Sequence, residues 1–301
     1  MQHLIETQQF DRESIQKLFR LASSLEGKRD ESLQGKILAS LFYEPSTRTR
    51  LSFESAMIRL GGDVITMESG DSSSQSKGES LEDSIKVISH YADVIVMRHG
   101  DVGAAARATM VSPIPIINAG DGNLGQHPTQ ALLDLYTIQR ELGREEGIHI
   151  AFVGNLKYYR STRSLSYLLG KYKDIRITFI STPELRMEDD VKNYLRGHNI
   201  EFEETEEMGE AVKEADVLYQ TRIAKEWIKG DIDIDKLIGR YVISRATADA
   251  MKKGAIIIHP LPRVGEISED VDDSPHAVYF RQVGYGLIVR MAILKTILNT
   301  G

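Results

Sequence analysis

Apolar residues recur along the chain in two alternating rhythms. Ile15, Leu18, Phe19 and Ala22 follow i, i+3, i+4, i+7, which predicts an amphipathic helix near residues 11–25. The run Ile37, Leu38, Ala39 and Leu41 predicts a buried strand, and Leu51, Phe53, Met57 and Leu60 a helix after it. A short strand over 63–67, a helix marked by Leu81, Ile85 and Ile88, and a buried strand over 94–97 follow. Next come a strand over 114–117, a Gly-rich turn and a helix from His127 to about Leu142. After the polar stretch GREEG at 143–147 the pattern restarts with strands over 148–153 and 175–180 and helices around 165–169 and 187–198. Later strands are expected over 217–219 and 256–258, and Leu287, Met291, Leu294 and Leu298 mark a last helix. Strands separated by helices of this length imply an α/β fold with two doubly wound parallel-sheet domains. The expected division is residues 1–140 and 147–284, with a C-terminal helix over 285–301 packing back on the first domain. Such sheets bind ligands at the carboxyl ends of their strands.

Composition narrows the function. Of 301 residues, 41% are hydrophobic and 27% charged, as in soluble globular proteins. No apolar run approaches a membrane span, and the first residues, MQHLIETQQFDRES, lack a signal-peptide layout. Zero cysteines exclude disulfides and thiolate metal sites and fit a cytoplasmic protein. A net charge of −7 argues against nucleic acid or a membrane surface as partner. Tight cationic clusters within an acidic chain point instead to a small anion.

The strongest cluster is FYEPSTRTR, Phe42 to Arg50, at a predicted strand end. Pro45 and Ser46 stand where a helix starts. The first turn then carries the Ser46, Thr47 and Thr49 hydroxyls, free backbone N–H groups and the Arg48 and Arg50 guanidiniums, a set suited to phosphate. An ordinary cap with a solvated basic patch is the competing reading. Ser73, Ser74 and Lys77 in the Ser-rich stretch 69–77 could wrap an anion or stay solvated, and Arg98 follows a buried strand.

In QHPTQALLDL, Pro128 is the expected first helical residue, so His127 and Gln130 could point donors at a ligand carbonyl; a structural capping histidine is the alternative. The preceding GDGNLG matches a dinucleotide fingerprint only formally, because Pro128 starts the helix after its third glycine. Farther on, Lys157, Tyr158, Arg160 and Arg163 follow one strand and Arg222 follows another, so two arginines could clamp two carboxylates. In HPLPR, 259–263, the prolines stiffen a turn that leaves the Leu261 carbonyl to accept from a ligand NH₂, and Leu261–Pro262 is a candidate cis bond.

STRTR, the Ser-rich stretch with KGES, VMRH, GDGNLGQHPTQ, LKYYR, TRI and HPLPR occur in the order found in aspartate carbamoyltransferase catalytic chains, and the chain resembles that family over essentially its full length. Ornithine carbamoyltransferases typically have Cys in the HPxQ motif and HCLP near the end, where Thr129 and Pro260 stand here. The resemblance implies transfer of a carbamoyl group from carbamoyl phosphate to L-aspartate in pyrimidine synthesis, without cofactor or metal. It implies that Ser46, Thr47, Arg48 and Thr49 bind phosphate and that Arg98 bridges phosphate and carbonyl. His127 and Thr49 would polarise the carbonyl, and Gln130, Pro260 and Leu261 would hold the carbamoyl amide. Arg160 and Arg222 would clamp aspartate with Lys77 nearby. It further implies a homotrimer with shared active sites, Ser73 and Lys77 coming from the neighbouring subunit, and leaves room for regulatory chains.

The chain departs from the family pattern at Asn155, Tyr159 and Ser161, in GNLKYYRS for the usual GDLKYGRT. Ala224 replaces a usual Gln, and Tyr285 a common Asn. Tyr159 is the departure expected to matter most, a large ring beside Arg160 on backbone that is glycine elsewhere. Two alternatives therefore stand beside aspartate transfer: another amino-acid acceptor, or a non-catalytic subunit that binds carbamoyl phosphate.

Overall fold

The computed structural model describes residues 2–68, 78–223, 237 and 239–298. The chain forms two compact units, one comprising residues 1–133 and 284–301, the other residues 134–283.

In the first unit, β1 (Ile37–Phe42), β2 (Asp63–Glu68), β3 (Val94–His99) and β4 (Ile116–Asp121) make a parallel sheet in the order β2-β1-β3-β4. The helices are α1 (Arg12–Leu25), α2 (Thr47–Arg59), α3 (Leu81–Ile88), α4 (Ala104–Thr109) and the start of α5 (Pro128–Leu142). The α1 apolar stripe is buried at Ile15, Leu18, Phe19, Ala22 and Leu25, and Asp11 caps the helix by accepting the Ser14 N–H. Strand alternation sends Ala39, Leu41, Ile95 and Met97 into one cluster with Leu81 and Ile85 of α3 and Ala104, Ala105 and Ala108 of α4. β4 begins at Ile116, later than the expected 114, because Pro113 and Pro115 interrupt the apolar run. It then extends through the buried Asn118–Asp121, which carry its end to the Gly-rich turn.

In the second unit, β5 (His149–Val153), β6 (Arg176–Ile180), β7 (Glu201–Thr205), β8 (Val217–Gln220) and β9 (Ile256–Ile258) are parallel, in the order β7-β6-β5-β8-β9. Here α6 (Arg160–Leu169), α7 (Asp189–Gly197), α8 (Gly209–Glu214) and α9 (Arg245–Asp249) alternate with the strands. Ala151, Val153, Ile180, Leu218 and Ile257 share a buried cluster with Val212, Ala248, Met251 and Tyr279, while the Phe152 ring packs on Phe179 and Tyr219. Both sheets are α/β, as expected from the sequence.

The last helix, α10, spans Tyr279–Leu298, starting six residues before the expected 285, since Val278 already accepts the Gln282 N–H. Within the first unit, Arg290 donates to Ser52 at 2.9 Å and lies over the Phe53 ring, and Lys295 pairs with Asp30 at 2.6 Å. No helix among the described residues is long and apolar enough to cross a membrane.

Candidate active site

The first unit gathers its motifs at the carboxyl edge of its sheet. β1 ends at Phe42, opposite Arg98 of β3, and the Tyr43 N–H donates to the Arg98 carbonyl at 2.9 Å. That register puts the Arg98 side chain beside the turn leading into α2, where its Nε meets the Glu44 carboxylate at 3.3 Å. α2 starts at Thr47, with Ser46 as its N-cap residue at φ −159° and ψ 86°. The Ser46 side chain makes no capping bond to α2, whose positive N-terminal end is the kind of place that attracts an anion. Thr49 is buried, and Arg50 leans back to Glu54 at 3.8 Å, whose Oε1 also accepts from Ser40 and Thr66. Arg50 is thereby an arm of this internal cluster.

One strand farther on, Asp121 closes the Gly-rich turn. Its Oδ1 accepts from the Gln126 N–H at 3.1 Å and from Asn118 at 3.0 Å, and its Oδ2 from the Gly103 N–H at 2.9 Å. A Cβ at Gly125 would stand 1.8 Å from the Asp121 carbonyl oxygen, so the glycine serves this close approach. The Gly122 N–H donates to the His99 carbonyl, tying the turn to the end of β3. α5 then begins at Pro128, as expected, with the His127 carbonyl accepting the Gln130 and Ala131 N–H groups. His127 and Gln130 are both largely buried, and the Thr129 hydroxyl lies 3.3 Å from His127 Nδ1. Sequence reading missed Asp121 as the organiser of this turn; its place between two glycines was the only cue.

In the second unit, three adjacent strands, β5, β8 and β9, deliver the arginine turns and HPLPR. Val153 of β5 pairs with Gln220 of β8, and Tyr219 with Ile258 of β9. The fully buried Thr221 joins the first two turns: its hydroxyl donates to the Val153 carbonyl and accepts the Asn155 N–H, both at 2.8 Å. Arg160, the first residue of α6 and nearly buried, and the half-buried Arg222 therefore leave neighbouring strand ends. Of the other candidates there, Arg163 pairs with Asp190 and lies over the Tyr167 ring, while Lys157 pairs with Glu188 at 3.5 Å. Those two serve the scaffold.

Tyr159 corrects an expectation. Its φ is −92° and its ψ 97°, ordinary extended backbone, so the ring imposes no left-handed strain. The side chain is 8% exposed, in the interior near the Tyr219 phenol, which burial, Asp134 and then Tyr159 push well up. Asn155 is also buried, its Oδ1 accepting the Tyr158 N–H at 3.1 Å in a local turn. Ser161 is buried and Tyr285 half-buried.

The HPLPR turn holds a cis Leu261–Pro262 bond, as expected, and Leu261 has φ +53°. Pro260 and Leu261 are half-buried. Ser73, Ser74, Lys77 and Ala224 lie outside the described residues.

The family model of the aspartate/ornithine carbamoyltransferase carbamoyl-P binding domain matches residues 2–140, and that of the Asp/Orn binding domain matches residues 146–297. The chain is an aspartate/ornithine carbamoyltransferase family member. Among its relatives in that family, the aspartate carbamoyltransferase catalytic subunit of Methanocaldococcus jannaschii is 52% identical, covering 99% of this chain and 98% of the relative. A chloroplastic aspartate carbamoyltransferase of Pisum sativum is 50% identical, covering 98% of this chain and 77% of its own. The solved M. jannaschii catalytic subunit superposes with a TM-score of 0.92 at 51% identity, covering all of both chains. A Trypanosoma cruzi aspartate transcarbamoylase in complex with carbamoyl phosphate and aspartate gives 0.94 at 39% identity, covering 98% of this chain and 96% of that one.

Proposed function

We propose that this chain transfers the carbamoyl group of carbamoyl phosphate to the amino group of L-aspartate, giving N-carbamoyl-L-aspartate and phosphate in de novo pyrimidine biosynthesis. The observation that carries the reading is the convergence of Ser46–Thr49, Arg98 and the His127–Gln130 helix start on adjacent strand ends, in a chain whose full-length relatives are named for this reaction.

In this reading the Ser46, Thr47 and Thr49 hydroxyls, the first-turn amides of α2 and the Arg48 guanidinium hold the phosphate. Arg98 spans phosphate and carbonyl oxygen, shifting from Glu44 to the ligand. His127 and Thr49 polarise the carbonyl, and Gln130 with the Pro260 and Leu261 carbonyls holds the carbamoyl NH₂. Arg160 and Arg222 take the two carboxylates of aspartate, with Lys77 beside them. The neutral amine nitrogen forms a bond to the carbonyl carbon, placing charge on the oxygen. The C–O bond to phosphate then breaks, and phosphate leaves with the proton of the amine. Fixed cations around the oxyanion supply the main stabilisation; losing one such donor costs roughly 3–4 kcal/mol. As written, the reaction balances without a cofactor.

The reading includes a homotrimer in which Ser73 and Lys77 serve a neighbouring subunit, and a cytoplasmic setting, supported by the family resemblance and the absence of cysteine respectively. The test is turnover of purified protein with carbamoyl phosphate and a panel of amino acids. Carbamoyl-aspartate as the dominant product supports the proposal. Transfer to another acceptor, or binding without acceptor-dependent phosphate release, refutes it. Mixing inactive Arg48→Ala and Lys77→Ala chains tests sharing: recovered activity supports a shared site, none refutes it. Sedimentation measures the trimer, alone or with added regulatory chains.

A further inference from the structure

The HPLPR turn is tied from within by a side chain that the reading above leaves unused. His259 is buried immediately after β9, with its own N–H donating to Gln282 Oε1 at 3.0 Å. The Leu261 N–H donates to His259 Nδ1 at 2.7 Å, so Nδ1 must offer a lone pair. His259 Nε2 lies 2.7 Å from Glu266 Oε1 and, carrying the remaining proton, donates to it. The other carboxylate oxygen, Glu266 Oε2, accepts the Val264 N–H at 2.8 Å. Burial acts to raise the Glu266 carboxyl, but His259 and the Val264 N–H outweigh it and hold the group below its ordinary value as an anion.

Behind His259 the support continues into the interior. Gln282 donates to Asp134 Oδ1 at 2.6 Å, and Asp134 Oδ2 accepts from the Tyr219 hydroxyl at 2.8 Å. All three side chains are essentially buried. The structure thus backs a left-handed leucine, which side chains seldom adopt unaided, with a chain of satisfied polar groups.

We propose that His259 is a positioning residue for the carbamoyl group. Kept neutral by the Leu261 N–H that occupies Nδ1, and with its proton held on Nε2 by Glu266, it locks the Leu261 amide and so fixes the direction of the Pro260 and Leu261 carbonyls that receive the ligand NH₂. The inference rests on the carbamoyl phosphate reading and gives its amide-binding turn a cause.

The experiment compares wild type, His259→Phe and His259→Asn by steady-state kinetics. Phe keeps a ring without an acceptor; Asn places an amide oxygen close to the place of Nδ1. His259→Phe is expected to raise KM for carbamoyl phosphate about tenfold, the loss of one buried hydrogen bond. KM for aspartate should change little, and His259→Asn should recover most of the loss. Equal KM for carbamoyl phosphate in wild type and His259→Phe overturns the proposal, as does failure of Asn to recover beyond Phe. Wild type that neither binds nor uses carbamoyl phosphate overturns the underlying reading instead. Imidazole ¹⁵N spectra of the unsubstituted protein provide a measurement independent of variant folding. A neutral ring protonated at Nε2 supports the assignment, and a proton on Nδ1 overturns it.

Discussion

Replacing Thr221 by Val tests whether one hydroxyl aligns the two arginine turns. The side chain is fully buried, and Val preserves its shape while exchanging the hydroxyl for a methyl. The Val153 carbonyl is not orphaned, because it also accepts the Thr221 N–H at 2.9 Å. The buried Asn155 N–H, however, loses the oxygen that receives it at 2.8 Å. An orphaned buried donor costs about 1–3 kcal/mol, and the added methyl returns about 0.8 kcal/mol. From the middle of that range the net loss is about 1 kcal/mol, which lowers Tm by roughly 2–4 °C in a unit of this size. Scanning calorimetry reads that shift, and kinetics should show KM for aspartate rising several-fold with KM for carbamoyl phosphate unchanged. A Tm drop under about 1 °C together with an unaltered aspartate KM would refute the staple.

Gly125→Ala forces a Cβ against the Asp121 carbonyl, so calorimetric titration should show carbamoyl phosphate binding weakened about 10²-fold while circular dichroism keeps the α/β signature. His127→Ala removes a proposed oxyanion donor and should lower kcat by about 10²–10³, with KM for carbamoyl phosphate within a few-fold of wild type in the same assay. Burial acts to raise the Asp30 carboxyl, but Lys295 and Ser32 outweigh it and hold it at about 2, below its ordinary 3.8. Since the folded value is the lower one, this stabilisation is complete above about pH 4 and disappears as pH falls towards 2. Asp30→Asn should therefore cost about 1 kcal/mol near neutrality, after allowance for solvent screening, and only a small fraction of that at pH 2, as urea midpoints across that range would show.

Legibility followed the range of the interactions. The strand–turn–helix at FYEPSTRTR could be read because the apolar run, Pro45, Ser46 and the helical spacing lie within one short stretch. β7 could not: EFEET is an edge strand whose acidic side chains meet Arg176 and Lys192 at 3.1 and 3.3 Å, so it carries charge where a central strand carries Val or Ile. α4 was hidden by its brevity and by Gly103, whose φ of +81° starts it. Thr221 acts on residues 66 and 68 positions away, and that pairing exists only once β5 and β8 are in register. Tyr159 shows the converse error. The family resemblance suggested a backbone suited only to glycine, yet Tyr159 sits in ordinary extended backbone and is buried.

Because all strands within each sheet run the same way, the cations of chemical interest among the described residues stand at one rim of their own sheet, opposite the rim at which the strands begin. There the chain turns at exposed Lys173–Asp174, just before β6. A fluorophore on the exposed Lys173 side chain, which leaves the backbone bonds to Gly147 and Glu146 in place, would ride on the scaffold as a built-in reporter for following the catalyst at work.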